Sequence, residues 1–196
     1  MANEYAAREA LKLRLGIEAD DATRDTLLDG ALAASSRGID TATGRRFWLD
    51  DVATGRTFTL AGNVVCGDGG ERLLIDDAGA APTLVETGSG SSWTAVTDYD
   101  PAPDNALVRG RPITALALAA GGWGGGLRAR ITAQWGWPAV PDEITEATLI
   151  QAARLYRRKD SPEGVTGSAE WGVVRLSRRD PDVWALIEHF IRPGFG

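Results

Sequence analysis

Residues 127–158 read LRARITAQWGWPAVPDEITEATLIQAARLYRR, and two periodicities meet inside them. Leu127, Ala129, Ile131, Ala133 and Trp135 alternate with Arg128, Arg130, Thr132 and Gln134. A period of two sorts these sets onto opposite faces, so the spacing predicts a strand with one apolar and one wet face. From Pro141 the period lengthens to three and four. Ile144, Ala147, Gln151 and Leu155 form one stripe, with Ile150, Ala153 and Tyr156 beside it. This predicts a long helix opened by Pro141. Asp142, Glu143 and Glu146 fall in its first turns and Arg154, Arg157, Arg158 and Lys159 in its last, the polarity a helix dipole favours. Apolar residues on much of its circumference make it the central helix.

Two helices are predicted upstream. Residues 4–15 offer Tyr5, Leu11 and Leu15 to one face and stop at Gly16. The second starts at Asp20 or Asp21 as N-cap, runs through Leu27, Leu28, Ala31, Leu32, Ser35, Ile39 and Ala42, and ends before Gly44. Its other face carries Arg24, Asp25, Asp29 and Arg37. Downstream, residues 161–168 read as a linker containing Pro162, Gly164 and Gly167, and 171–176 as a possible strand. Asp180 and Pro181 then open a short helix with Val183, Trp184, Ile187 and Ile191 on one side; 192–196 form a frayed end.

Between the second and third helices the pattern is that of an antiparallel β unit. Residues 45–51 and 56–60 read as strands joined by a turn at 53–55, followed by 72–76, 82–87, 93–96 and 113–118, with glycine, proline and aspartate in the gaps. The chain does not alternate β and α, which argues against a doubly wound sheet. The expectation is an α+β fold: a small helical bundle with a large β insertion between helices 2 and 3. The domain reading is 1–44 with 137–160 as the helical core, 45–136 as the insertion, and 161–196 as a flexible linker and docking arm.

Composition narrows the function. With 196 residues, 43% hydrophobic, the chain can build a core without disulfides or metals. One cysteine excludes an intramolecular disulfide and fits a reducing compartment. Residues 1–15 carry Glu4 and Glu9 and no continuous apolar run, unlike a secretory signal. No stretch reaches the roughly 18 apolar residues of a membrane span. A net charge of −6 disfavours bulk adhesion to nucleic acid. Basic residues that are nearly all arginine, together with abundant alanine and glycine, suggest a GC-rich genome.

Candidate chemistry is sparse, and the expectation is no enzyme, no cofactor and no metal. Cys66 and His189 are the sole residues of their kinds, and read as a half-buried thiol and a surface imidazole. Residues 121–126, GGWGGG, lack the Lys-Ser/Thr ending of a phosphate loop and precede a strand, so they read as a flexible hairpin tip. Asp98, Asp100 and Asp104 lack calcium-loop spacing. The pairs Asp50-Asp51 and Asp76-Asp77 would point to opposite faces of a strand, as a glycosidase pair must not. The seven tryptophans leave three readings: core, interface anchors, or a sugar-binding stack.

The segment Trp135-Gly136-Trp137-Pro138-Ala139-Val140-Pro141-Asp142-Glu143-Ile144 resembles a junction in phage head–tail connector (adaptor) proteins. There an aromatic-glycine-aromatic turn ends a strand, and Val-Pro with a later Ile starts a long helix. The continuation to Leu155-Tyr156-Arg157-Arg158 is similar to that helix. So are the N-terminal helices ending in Thr43-Gly44-Arg45, the Gly67-Asp68-Gly69 turn before Leu73-Leu74-Ile75-Asp76, and Val174-Arg175-Leu176 followed by Asp180-Pro181-Asp182-Val183. The resemblance implies a dodecameric ring in the virion, beneath the portal protein, assembled in the host cytoplasm. Copies of the chain would bind one another, the portal, and a stopper or tail-completion protein. DNA would pass through the channel without sequence-specific binding, and no membrane is involved.

Residues 154–179 hold seven basic and three acidic side chains inside a negative chain. They read either as a solvated helix end and loop or as a docking arm. The docking reading assigns contacts to Arg154, Arg157, Arg158, Trp171, Arg175, Arg178, Arg179, Trp184 and Phe190, and expects deletion of 161–196 to abolish attachment while leaving a folded monomer. Other readings are a stopper ring, a carbohydrate- or receptor-binding β module using Trp48, Trp93 or Trp123, and an enzyme with dispersed carboxylates.

Overall fold

The computed structural model describes residues 3–67, 70–118, 121–123, 127–158, 165–166, 174–175 and 180–192. The fold is α+β, with a β insertion between the second and third helices. The chain divides into two compact units, Met1–Arg45 with Val140–Gly196, and Arg46–Ala139.

The first unit is helical. Helix α1 (Arg8–Leu15) ends at Gly16, whose φ of 67° is the left-handed conformation that glycine adopts without strain. Helix α2 (Asp25–Thr43) ends the same way at Gly44. Helix α3 (Asp142–Arg157) follows Pro141, and α4 (Pro181–Ile187) follows Asp180. Leu11 of α1, Leu28, Ala31 and Leu32 of α2, and Leu149, Ala152, Ala153 and Tyr156 of α3 share one core. Below them Lys12 is buried, with its ammonium on the carbonyls of Ala19 (3.1 Å) and Asp21 (2.9 Å) and beside the Asp25 carboxylate at 2.7 Å. Arg8 bridges Asp25 and Asp29 above it.

Two starts differ from the periodicity. Residues 4–7 are not helical; Tyr5 is buried, its N–H donates to Ser36 Oγ at 3.1 Å and its hydroxyl to Asp40, and these bonds hold the bent segment against α2. Helix α2 starts at Asp25, because the Asp21 carboxylate is engaged one turn earlier. It accepts from the Thr23 N–H (3.0 Å) and hydroxyl (2.5 Å), a local turn that competes with helix. Leu27 and Ala42, placed on the apolar face by spacing, are exposed.

The second unit holds two four-stranded antiparallel sheets. One has the order β1 (Thr54–Thr59), β8 (Arg128–Ala133), β4 (Leu84–Ser89), β5 (Ser92–Ala95). The other has β2 (Val64–Gly67), β3 (Gly70–Ala78), β7 (Ile113–Leu118), β6 (Asp100–Ala102). The alternation along β8 becomes burial: Ala129, Ile131 and Ala133 are inside, Arg128 is exposed, Arg130 and Thr132 half-buried. These inner residues join Val85 of β4, Leu73 and Ile75 of β3, and Leu116 and Leu118 of β7 in one core under both sheets. Strands β9 (Val165–Thr166) and β10 (Val174–Arg175) pair between α3 and α4, so residues 165–166 are strand where a linker was expected.

Residues 45–53 do not form the expected strand and turn. Thr54 and Gly55 already belong to β1, and the segment before them meets the end of β8 through one ladder-like bond, Asp50 N–H to the Trp135 carbonyl (2.8 Å). Strands β7 and β8 lie in different sheets, so they do not form the hairpin whose tip was expected at 121–126, of which 124–126 lie outside the described residues.

Candidate docking surface

The motif that ends β8 is a packed corner. Trp135 is fully buried, and its indole N–H donates to the Thr54 carbonyl at 2.8 Å. Gly136 has φ +113°, and a Cβ there would lie 1.8 Å from the Trp48 carbonyl oxygen. Its N–H donates to the Asp77 carbonyl at 2.7 Å. Trp137 tilts against Phe47 at 5.1 Å and donates its indole N–H to the Asp77 carboxylate at 3.1 Å. Pro138 and Val140 are half-buried, and the Pro141 carbonyl accepts from the N–H groups of Ile144 and Thr145, the first turn of α3. Ile144 is fully buried.

At the other end of α3 stand the cations read as docking residues. Arg157 and Arg158 are exposed. Arg154 is not free: its guanidinium lies 3.4 Å from the Asp180 carboxylate. The other oxygen of Asp180 accepts from the N–H groups of Asp182 (3.0 Å) and Val183 (3.3 Å), so one side chain caps α4 and ties it to α3. Val183 and Ile187 are buried and Trp184 is half-buried, beside a cleft of about 210 Å³ that also touches Gly38 and Ala42 of α2 and Gln151 of α3. The Phe190 carbonyl accepts from Arg45 Nε at 2.7 Å, and Arg192 N–H donates to the Thr43 carbonyl at 2.9 Å. Helix α4 is thus a packed element of the helical unit. Deleting 161–196 would strip Val183 and Ile187 from it, which corrects the expectation of an intact remainder. Trp171, Arg178 and Arg179 lie outside the described residues, and Arg175 is described as backbone of β10.

The remaining sequence candidates are placed apart or engaged. Cys66 is exposed on β2 rather than half-buried, and His189 is exposed beside Phe190. Asp50 pairs with Arg46 (2.8 Å), Asp76 with Arg56 (2.7 Å), and Asp77 with Trp137. Among the described residues no group of three or more His, Cys, Asp or Glu side chains could hold a metal ion. Trp123 is 2% exposed and cannot serve as an open stacking platform. Trp48 and Trp93 are half-buried, and each already carries a guanidinium, Arg46 at 3.8 Å and Arg130 at 4.5 Å from the ring centre.

No protein-family model and no curated protein sequence matches the chain. Its fold is similar to that of a chain in the neck of an empty gene transfer agent particle computed with C6 symmetry. That likeness has a TM-score of 0.56 and 19% identity, over 98% of this chain and 93% of that one. A chain in the virion of a native gene transfer agent particle is similar with a TM-score of 0.52 and 23% identity, over 100% and 99%. The likeness runs the length of the chain and takes in both units.

Proposed function

We propose that this chain is a structural protein of a phage-like virion neck, an adaptor that forms a ring on the portal and carries the next tail-side protein. The observation that carries the reading is the full-length likeness to chains of gene transfer agent particles, one of them from a neck. The engaged carboxylates and the packed tryptophans fit a role in assembly better than one in catalysis or sugar binding. A net charge of −6 suits a channel wall that must let DNA slide past without gripping phosphate.

In this reading the exposed Arg157 and Arg158 at the end of α3, together with residues 159–179, meet the portal. Arg154 and α4 hold that end in shape. The test is cryo-electron microscopy of the purified chain with and without its portal. Rings seated on the portal are expected. A chain found on the tail side of a different ring would make it a stopper, and a chain absent from purified particles would overturn the reading.

A further inference from the structure

The first sheet, β1-β8-β4-β5, has two open edges, and their chemistry is complementary. The Leu60 N–H to Leu127 carbonyl bond (3.2 Å) fixes the phase of the β1–β8 ladder. Bonded and non-bonded pairs alternate in an antiparallel ladder, so Arg56 and Phe58 face β8, while Gly55 and Thr57 turn their N–H and C=O groups outward. Thr59 also faces outward, but its carbonyl already accepts from the Asn63 amide at 2.8 Å. The Val96 N–H to Val85 carbonyl bond (2.8 Å) sets β5 in the same way: Ser92 and Thr94 face β4, and Trp93 and Ala95 turn outward. Among the described residues nothing bonds the backbone groups of Gly55, Thr57, Trp93 or Ala95 on that side.

Lysine, proline and inward charge blunt an edge. Lysine and proline are absent from both edges, and the one inward charge, Arg56 opposite the buried Ile131, is paired with Asp76 and covered by the Trp135 ring at 4.6 Å. Strand β5 has no charged residue. The second sheet differs, since its β6 edge holds Asp100 and Pro101. The strand order settles the direction. Four strands in strict antiparallel alternation leave β1 and β5 antiparallel to each other. A second copy that presents β1 beside β5 therefore continues the pattern. One edge of each copy meets the other edge of the next, the head-to-tail contact that a closed ring requires, and closure leaves no edge open.

We propose that neighbouring copies join by β1 of one and β5 of the next, with Thr57 opposite Trp93 and Gly55 opposite Ala95. This register uses free backbone groups at every position and brings no like charges together. It rests on the ring reading above, and it names the contact that builds the ring.

The test replaces Cys66 with serine and introduces Gly55→Cys and Ala95→Cys. A Cβ at Gly55 meets Thr132 Oγ1 at 3.7 Å, an ordinary contact, so the position accepts a side chain. A short bismaleimide should link the double variant into a ladder of head-to-tail oligomers, while each single variant stays unlinked. Thr57→Pro removes an outward N–H without touching the β8 ladder; it should melt with the wild type yet fail to form rings. In wild-type rings, amide exchange at Thr57 and Trp93 should slow at least about tenfold relative to the monomer. Wild-type rings that leave the double variant unlinked, exchange unslowed and Thr57→Pro competent would overturn this contact and leave the neck reading standing. A wild-type chain that forms no ring, alone or on the portal, would overturn both.

Discussion

Gly136 occupies a conformation and a space that exclude any side chain. Its φ of +113° and the Trp48 carbonyl 1.8 Å from an added Cβ make Gly136→Ala doubly unfavourable. The expected loss is about 3 kcal/mol or more, read from denaturant unfolding. A break after Trp135 is legible in the sequence; the need for glycine is not, because Trp48 is remote in the chain and arrives by folding. The same holds for Trp123, whose burial no local pattern announces. At Asp21 the chemistry is local. Hydrogen bonds from the Thr23 side chain and backbone hold its carboxyl below the usual range. The stability this contributes is present above the unfolded value of about 3.9 and is lost as pH falls through the lower folded value. Thr23→Ala should move the Asp21 titration up toward the ordinary range, as followed by NMR.

Elements bounded by a nearby cap are the ones whose limits the sequence reveals. Asp180 with Pro181 marks the start of α4 because the cap bonds lie within three residues. Asp180→Ala should cost about 1 kcal/mol from the cap, and it also leaves Arg154 without that carboxylate. Thermal melts of Asp180→Ala against Asp180→Asn would separate the two effects. The strands read at 45–51 and missed at β2 and β6 show the opposite case. Residues 45–51 have the composition of a strand but no partner to complete a ladder, whereas β2 and β6 are too short to show a period and exist because β3 and β7 offer them one. Ile131 sits at the middle of its sheet, fully buried, between Arg56 and Val85. Ile131→Ala should destabilise the chain by roughly 2–5 kcal/mol in chemical denaturation.

For the whole molecule, the helical unit presents two exposed arginines, Arg157 and Arg158, at the end of α3. On the proposed portal contact, Arg157→Glu with Arg158→Glu should weaken attachment about tenfold or more while leaving the melting temperature within a few degrees, since both side chains are solvated. Co-sedimentation with portal particles measures the first and calorimetry the second. Salt should weaken wild-type attachment in the same direction. What the sequence reveals at this end is a charge pattern. Which arginine is engaged inside the unit, Arg154, and which are free depends on where Asp180 comes to rest.

The interrupted layout of the helical unit also dictates a timetable during synthesis. Leu11, Leu28 and Leu32 leave the ribosome without the α3 residues that cover them, which follow about a hundred residues later. At typical translation speeds that gap is on the order of ten seconds. The core of residues 46–139 also waits for its central strand, since Ala129, Ile131, Ala133 and Trp135 are made just before α3, so both cores can close only once this late stretch of chain has emerged.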